Sequence, residues 1–154
     1  MNVKIIKGRT AEEIRSALQK CTGDGFKPTL AIVFMSIKLD LDAVSDLLLD
    51  IPGAYFKLAF FDSVDKGDFE VAKQLGEIGK DSFTNAAFII ASGWVNHIDG
   101  EEIIRGIEAG YGSNAAIFGG MAGDDQTLTG PMVFTKGLKS TTGLMGLIID
   151  KDKV

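Results

Sequence analysis

Short, almost uniformly apolar runs alternate along this chain with stretches whose apolar residues recur at helical spacing. That alternation constrains the fold more than any other feature. A run of six to eight apolar residues suits a strand covered on both faces, and an intervening amphipathic helix supplies the cover. Three such runs stand out: Thr29–Ser36 (TLAIVFMS), Ala54–Phe61 (AYFKLAFF) and Ala86–Ala91 (AAFIIA). Shorter strands are expected at Val3–Ile6, Ala115–Phe118, Met132–Thr135 and Leu144–Asp150, the last two joined as a hairpin through Lys136–Lys139.

The helices announce themselves by their caps. Thr10-Ala11-Glu12-Glu13 forms a capping box ahead of an Ile14, Ala17, Leu18, Cys21 stripe, and Gly23-Asp24-Gly25 ends that helix. Asp40 or Asp42 caps a helix with Leu41, Val44, Leu48 and Ile51 inside, closed by Pro52-Gly53. Phe69–Ile78 reads as a weaker helix interrupted at Gly76. Asp99-Gly100-Glu101-Glu102 opens the best-marked helix, with Ile103, Ile104, Ile107 and Tyr111 on its apolar side and Gly110 and Gly112 closing it. The expected architecture is therefore α/β: a mixed, mostly buried sheet with flanking helices and a C-terminal antiparallel hairpin, as one domain over residues 1–154.

Composition narrows the partners. Of 154 residues, 45% are apolar and 24% charged, the balance of an ordinary globular domain. Sixteen basic residues lie scattered among 21 acidic ones with no basic stripe, which disfavours nucleic acid and an anionic membrane surface. No apolar run approaches the roughly 18 residues of a spanning helix. A single cysteine, Cys21, and a single histidine, His97, leave neither a disulfide framework nor a cysteine- or histidine-rich metal site within one chain. No metal and no cofactor is expected, and the single cysteine fits a cytoplasmic setting.

Familiar catalytic strings do not hold up. Gly110-Tyr111-Gly112-Ser113-Asn114-Ala115 matches a dinucleotide fingerprint letter for letter, yet it leaves a helix and enters a strand, the reverse of what phosphate binding needs. Ser63-Val64-Asp65-Lys66 lacks the companion boxes of a serine–lysine enzyme.

Two segments remain as candidate binding loops. The first, Ser92–Glu102, leads from a buried strand into a helix; Asn96 and the amides of Gly100–Glu102 suit an anionic group, while Asp99 serves at least as the cap. Trp94 is pocket wall or core, and His97 reads more simply as a surface histidine. The second is Gly119-Gly120-Met121-Ala122-Gly123-Asp124-Asp125, directly after a strand. Its glycines let the backbone turn and present amides, and its two carboxylates suit an ammonium group or a cation. Read alone, it is more simply a tight turn with aspartate as turn former.

Taken together, D-G-E-E-I-I-R-G-I-E-A-G, A-A-I-F-G-G-M-A-G-D-D, P-M-V-F-T-K-G and G-L-M-G-L-I-I-D resemble the N-terminal part of the FIST sensory domain. The resemblance is strongest over residues 86–150 and extends weakly over residues 30–52. At Gly53–Phe61 the chain lacks the glycine–cysteine string usual in the family, so a reduced or partial member is expected. The resemblance implies a non-enzymatic, small-ligand-sensing input module of intracellular signalling, with amino acids as the usual ligand class. It places the binding residues at Asn96, Asp99, Gly100, Gly119, Gly120, Gly123, Asp124 and Asp125. A signalling output protein is the implied partner, and a homo-oligomer is a further expected partner. Two rivals stand beside it. One is an interaction module that pairs through the aromatic AYFKLAFF strand; the other is a metal-dependent hydrolase using Asp124 and Asp125.

Overall fold

The computed structural model describes residues 4–26, 33, 36, 38, 55–62, 64, 66–93, 99–123, 130–135 and 137–153. The chain forms two compact units, Met1–Pro52 and Gly53–Val154. The expected strand at Thr29–Ser36 and the helix through Leu41–Ile51 fall largely outside the described residues.

In the first unit, helix α1 spans Ala11–Thr22. Thr10 caps it, its hydroxyl accepting the Glu13 amide at 3.2 Å. Glu13 reaches back to the Arg9 amide at 2.6 Å, one residue before the cap. The box thus closes one position earlier than the simplest pattern. The Ile14, Ala17, Leu18, Cys21 stripe exists, but no residue of α1 is fully buried. Lys4–Ile6 forms no strand. Lys4 instead turns its ammonium onto the Cys21 carbonyl (2.8 Å) and the Asp24 carboxylate (2.6 Å), over the Phe26 ring. These contacts satisfy the C-terminal end of α1 and hold the segment against the helix rather than against another strand.

The second unit runs β1 (Phe56–Asp62), α2 (Asp68–Ser82), β2 (Ala86–Ser92), α3 (Gly100–Tyr111), β3 (Ala116–Met121), β4 (Val133–Thr135), β5 (Leu138–Ser140) and β6 (Gly143–Asp150). Four strands form a mixed sheet in the order β1-β6-β2-β3. β6 is antiparallel to both β1 and β2, and β2 is parallel to β3. β1, β2 and β3 therefore all run the same way. β4 and β5 make a separate antiparallel hairpin around Gly137. The expected hairpin is present, but its return strand is β5. Leu144–Asp150 instead enters the main sheet as β6, where its apolar residues are buried between β1 and β2.

The core lies between this sheet and the two helices. Phe88 of β2, Leu144 and Ile148 of β6, Val71 and Leu75 of α2, and Ile103 and Ile107 of α3 form one buried cluster. Phe88 also meets the Tyr111 ring edge-on at 5.2 Å, and the Tyr111 hydroxyl accepts the amide of buried Ala86 at 2.8 Å. Burying large aromatic and aliphatic side chains of this kind contributes about 1.5–3 kcal/mol each.

The two helices touch backbone to backbone. A Cβ on Gly106 would stand 2.5 Å from the Phe69 carbonyl oxygen, one on Gly110 would run into the Lys73 carbonyl, and one on Gly76 into that of Ile107. Two sequence expectations change here. Gly76 does not interrupt α2, and Gly110 does not close α3; both are helical residues whose missing side chains allow the close approach. Gly112 alone ends α3, with φ +136° and its amide on the Glu108 carbonyl.

Candidate functional site

Because β1, β2 and β3 run the same way, their carboxyl ends emerge on one side of the sheet. α2 and α3 follow β1 and β2, so each helix begins after one of those ends. In open α/β sheets, ligands gather at such carboxyl ends, where strand ends and helix N-termini meet. The strand ends are tied laterally. The Ala122 amide, just past β3, donates to the Ser92 carbonyl at 2.7 Å, and the Gly93 amide, just past β2, donates to the Gly143 carbonyl at 2.8 Å. Gly93 lies against the Thr141 carbonyl so closely that no side chain fits there.

The helix starts are also joined. The Asp99 side chain accepts the Glu101 amide at 2.9 Å and caps α3, as its position predicts. The Asp99 amide donates to the Asp68 carboxylate at 2.9 Å, so the first residue of α2 holds the cap of α3. Glu102 does not complete a capping box; it pairs with Arg105 at 3.2 Å, beside Glu101 at 2.7 Å. Between the helix starts lies an open depression of about 520 Å³, lined by Lys66, Asp68, Glu70, Asp99 and Glu102 among others. Four carboxylates against one ammonium make it hostile to an anion, and Asp99 already takes the Glu101 amide at the positive end of α3.

The glycine-acid segment divides in two. Gly119 and Gly120 lie inside β3 rather than in a loop after it. Gly119 has φ +146°, and a Cβ there would collide with the Ile90 carbonyl of β2, so strand pairing itself requires glycine. Gly120 and Gly123 have open space where a side chain would be. No packing reason demands glycine at either. Asp99 and Gly100 are placed at the start of α3, and Gly123 beyond the end of β3. Asn96, Asp124 and Asp125 lie outside the described residues, as do Trp94 and His97.

The structure adds a group that sequence reasoning did not single out. Asp62 ends β1 and faces the turn between β5 and β6. Its carboxylate accepts the Ser140 hydroxyl and the Thr142 hydroxyl, both at 2.8 Å, and the Val64 amide at 3.1 Å. The Thr142 amide donates to the Ser140 oxygen at 3.0 Å and closes the turn. The Thr142 hydroxyl, with the Val64 amide and the Ser140 hydroxyl, holds the Asp62 carboxyl below its ordinary value. Asp62 thus accepts hydrogen bonds on both carboxylate oxygens. The only early signal was Ser140-Thr141-Thr142 before an apolar strand, a string too common to single out.

Among the described residues, no group of three or more histidine, cysteine, aspartate or glutamate side chains could hold a metal ion. No helix of those residues is long and apolar enough to cross a membrane.

In chain order β1, α2, β2, α3 and β3 alternate as in an α/β domain, the three strands running the same way with β6 antiparallel between β1 and β2. Comparison with known families then identifies it: the model of the FIST N domain matches residues 10–154, nearly the whole chain. The chain belongs to that family, which comprises sensory domains of signal transduction. The match reaches well beyond residues 86–150, where the recognisable motifs are concentrated. No curated protein and no solved structure matches the chain.

Proposed function

We propose that this chain is a non-catalytic input module that senses a small ligand, an amino acid or similar metabolite, at the carboxyl ends of β1, β2 and β3. One observation carries the reading: these three ends and the two helix starts lie on one side of the sheet, and two glycines there, Gly120 near the end of β3 and Gly123 just beyond it, are free of any packing demand for glycine. Their amides, with Asn96, are the groups we assign to a ligand carboxylate. Asp124 or Asp125 is assigned to its ammonium group. Asp99 and Gly100 form the helix-side wall; with the Asp99 carboxylate committed to its cap, they bound the site rather than grip the anion. Gly119 sets the strand geometry from which the loop departs. The acidic depression beside Asp68 and Asp99 favours the ammonium end of such a ligand over its carboxylate. A cytoplasmic location and a separate output protein belong to the same reading.

Thermal-shift screening of the chain against the twenty standard amino acids, each at millimolar concentration, tests it. Stabilisation by at least one is expected. Stabilisation by none overturns the ligand assignment.

A second reading, pairing through β1, is favoured by a different observation. Among the described strands β1 pairs with β6 alone, and Tyr55 and Leu58 are about half exposed. Under it the chain is a dimer in solution that Phe56→Asp converts to a monomer by light scattering. A monomeric unaltered chain contradicts it.

A further inference from the structure

We propose that Asp62 is a positioning residue for the ligand site, acting through the Ser140–Thr142 turn on the end of β2; the assignment rests on the site proposed above. Asp62 closes β1 opposite Gly143, the first residue of β6. Its two carboxylate oxygens hold the hydroxyls of Ser140 and Thr142 on either side of Thr141. That fixes where the Thr141 carbonyl stands. Gly93 packs directly on this carbonyl with no room for a side chain, and its amide is bonded to Gly143. Ser92, nearly fully buried, takes the Ala122 amide through its carbonyl.

A continuous set of contacts therefore runs from Asp62 to the turn, to the end of β2, and on to Ala122 and Gly123. Gly93 and Gly123 are the last described residues before the two candidate loops. Charge-assisted hydrogen bonds are shorter and stronger than neutral ones, so the ionised carboxylate is the stiffest member of the set. The Ser140 and Thr142 hydroxyls donate to Asp62, and both carboxylate oxygens accept from the turn. The role that fits is bracing rather than contact.

The test uses the whole chain with Asp62→Asn, Asp62→Glu and Ser140→Ala. Asp62 is exposed, so the asparagine variant folds, with a melting temperature within about 2 °C of the unaltered chain. Hydrogen exchange at the Gly93 and Ala122 amides should be about tenfold faster in Asp62→Asn, while exchange at Ile148 in the core is unchanged. For whichever standard amino acid stabilises the unaltered chain, Asp62→Asn should bind it about tenfold more weakly, and Asp62→Glu should recover part of the loss. Ser140→Ala, which keeps the charge, should show the same local exchange effect to a smaller degree. Unchanged exchange at Gly93 and Ala122 overturns the brace, whether or not any amino acid binds. Equal affinity in Asp62→Asn overturns its role in the site while leaving the ligand assignment standing. If no amino acid binds the unaltered chain, the ligand assignment fails, and the exchange result alone decides whether the brace exists.

Discussion

The amide of Asp99 donates to the carboxylate of Asp68, so the start of one helix is held by the start of another 31 residues earlier. The same Asp99 caps its own helix through the Glu101 amide. Replacing Asp99 by Ala should cost about 1 kcal/mol in urea unfolding, the usual value of an N-cap. Asp99→Ser should recover most of it. A loss below a few tenths of a kcal/mol would mean that the cap does not hold the start of α3.

Gly106→Ala gives a test of opposite sign to helix propensity. In an isolated helix the change would stabilise by about 1 kcal/mol. Here the added Cβ meets the Phe69 carbonyl and the Ala72 side chain, so the helices must separate. We expect destabilisation of about 1–3 kcal/mol, and Gly110→Ala should behave alike against Lys73. Stabilisation by either substitution would contradict the backbone contact between α2 and α3.

Tyr111→Phe removes one oxygen and leaves the buried Ala86 amide without its acceptor. The expected cost is about 1–2 kcal/mol, with little change in the Phe88 packing seen by near-ultraviolet circular dichroism. Phe88→Ala, in the same cluster, should cost about 3–5 kcal/mol. If the tyrosine change is neutral, the hydroxyl does not serve the strand.

Asp62 gives the pH dependence a sign. Its carboxyl is held below the ordinary value by hydroxyl and amide donors that bind the anion. A group with a depressed folded-state pKa contributes stability that is present above its unfolded pKa. That contribution is lost as the pH falls through the folded-state value. The chain should therefore lose a small increment of stability below the ordinary carboxylate range, and Asp62→Asn should lack it. An identical acid limb in the two proteins, by denaturant melts at a series of pH values, would contradict the assignment.

What the sequence disclosed and what it hid follow from the range of the interactions involved. β1, β2, α2 and α3 are marked by local signals: apolar runs, the helical stripe of Ile103 and Ile107, the Asp99 cap. β5 escaped because Leu138-Lys139-Ser140 is short and carries no apolar run, so the longer apolar strand nearby looked like the hairpin partner. Gly76 and Gly110 read as a helix interruption and a helix stop because their purpose is a contact between two helices far apart in the chain. In the candidate site, the helix cap was legible, whereas the Asp62 cluster joins residues 78 and 80 positions apart. Gly119 was grouped with the binding glycines because a single sequence does not show that β3 pairs with β2 directly at that residue.

The central claim is that a small ligand sits at the strand ends beside Gly120, near the end of β3, and Gly123, just beyond it. Titration of amino acids into ¹⁵N-labelled chain, followed amide by amide, tests it most directly. A ligand present at 100 times its Kd should stabilise the fold by about 2.7 kcal/mol. It should also shift the Gly100, Gly120 and Gly123 resonances while leaving Gly76 and Gly106, between the helices, unmoved. Absence of any shift at Gly120 and Gly123 with every amino acid, or shifts confined to α1, would contradict the account.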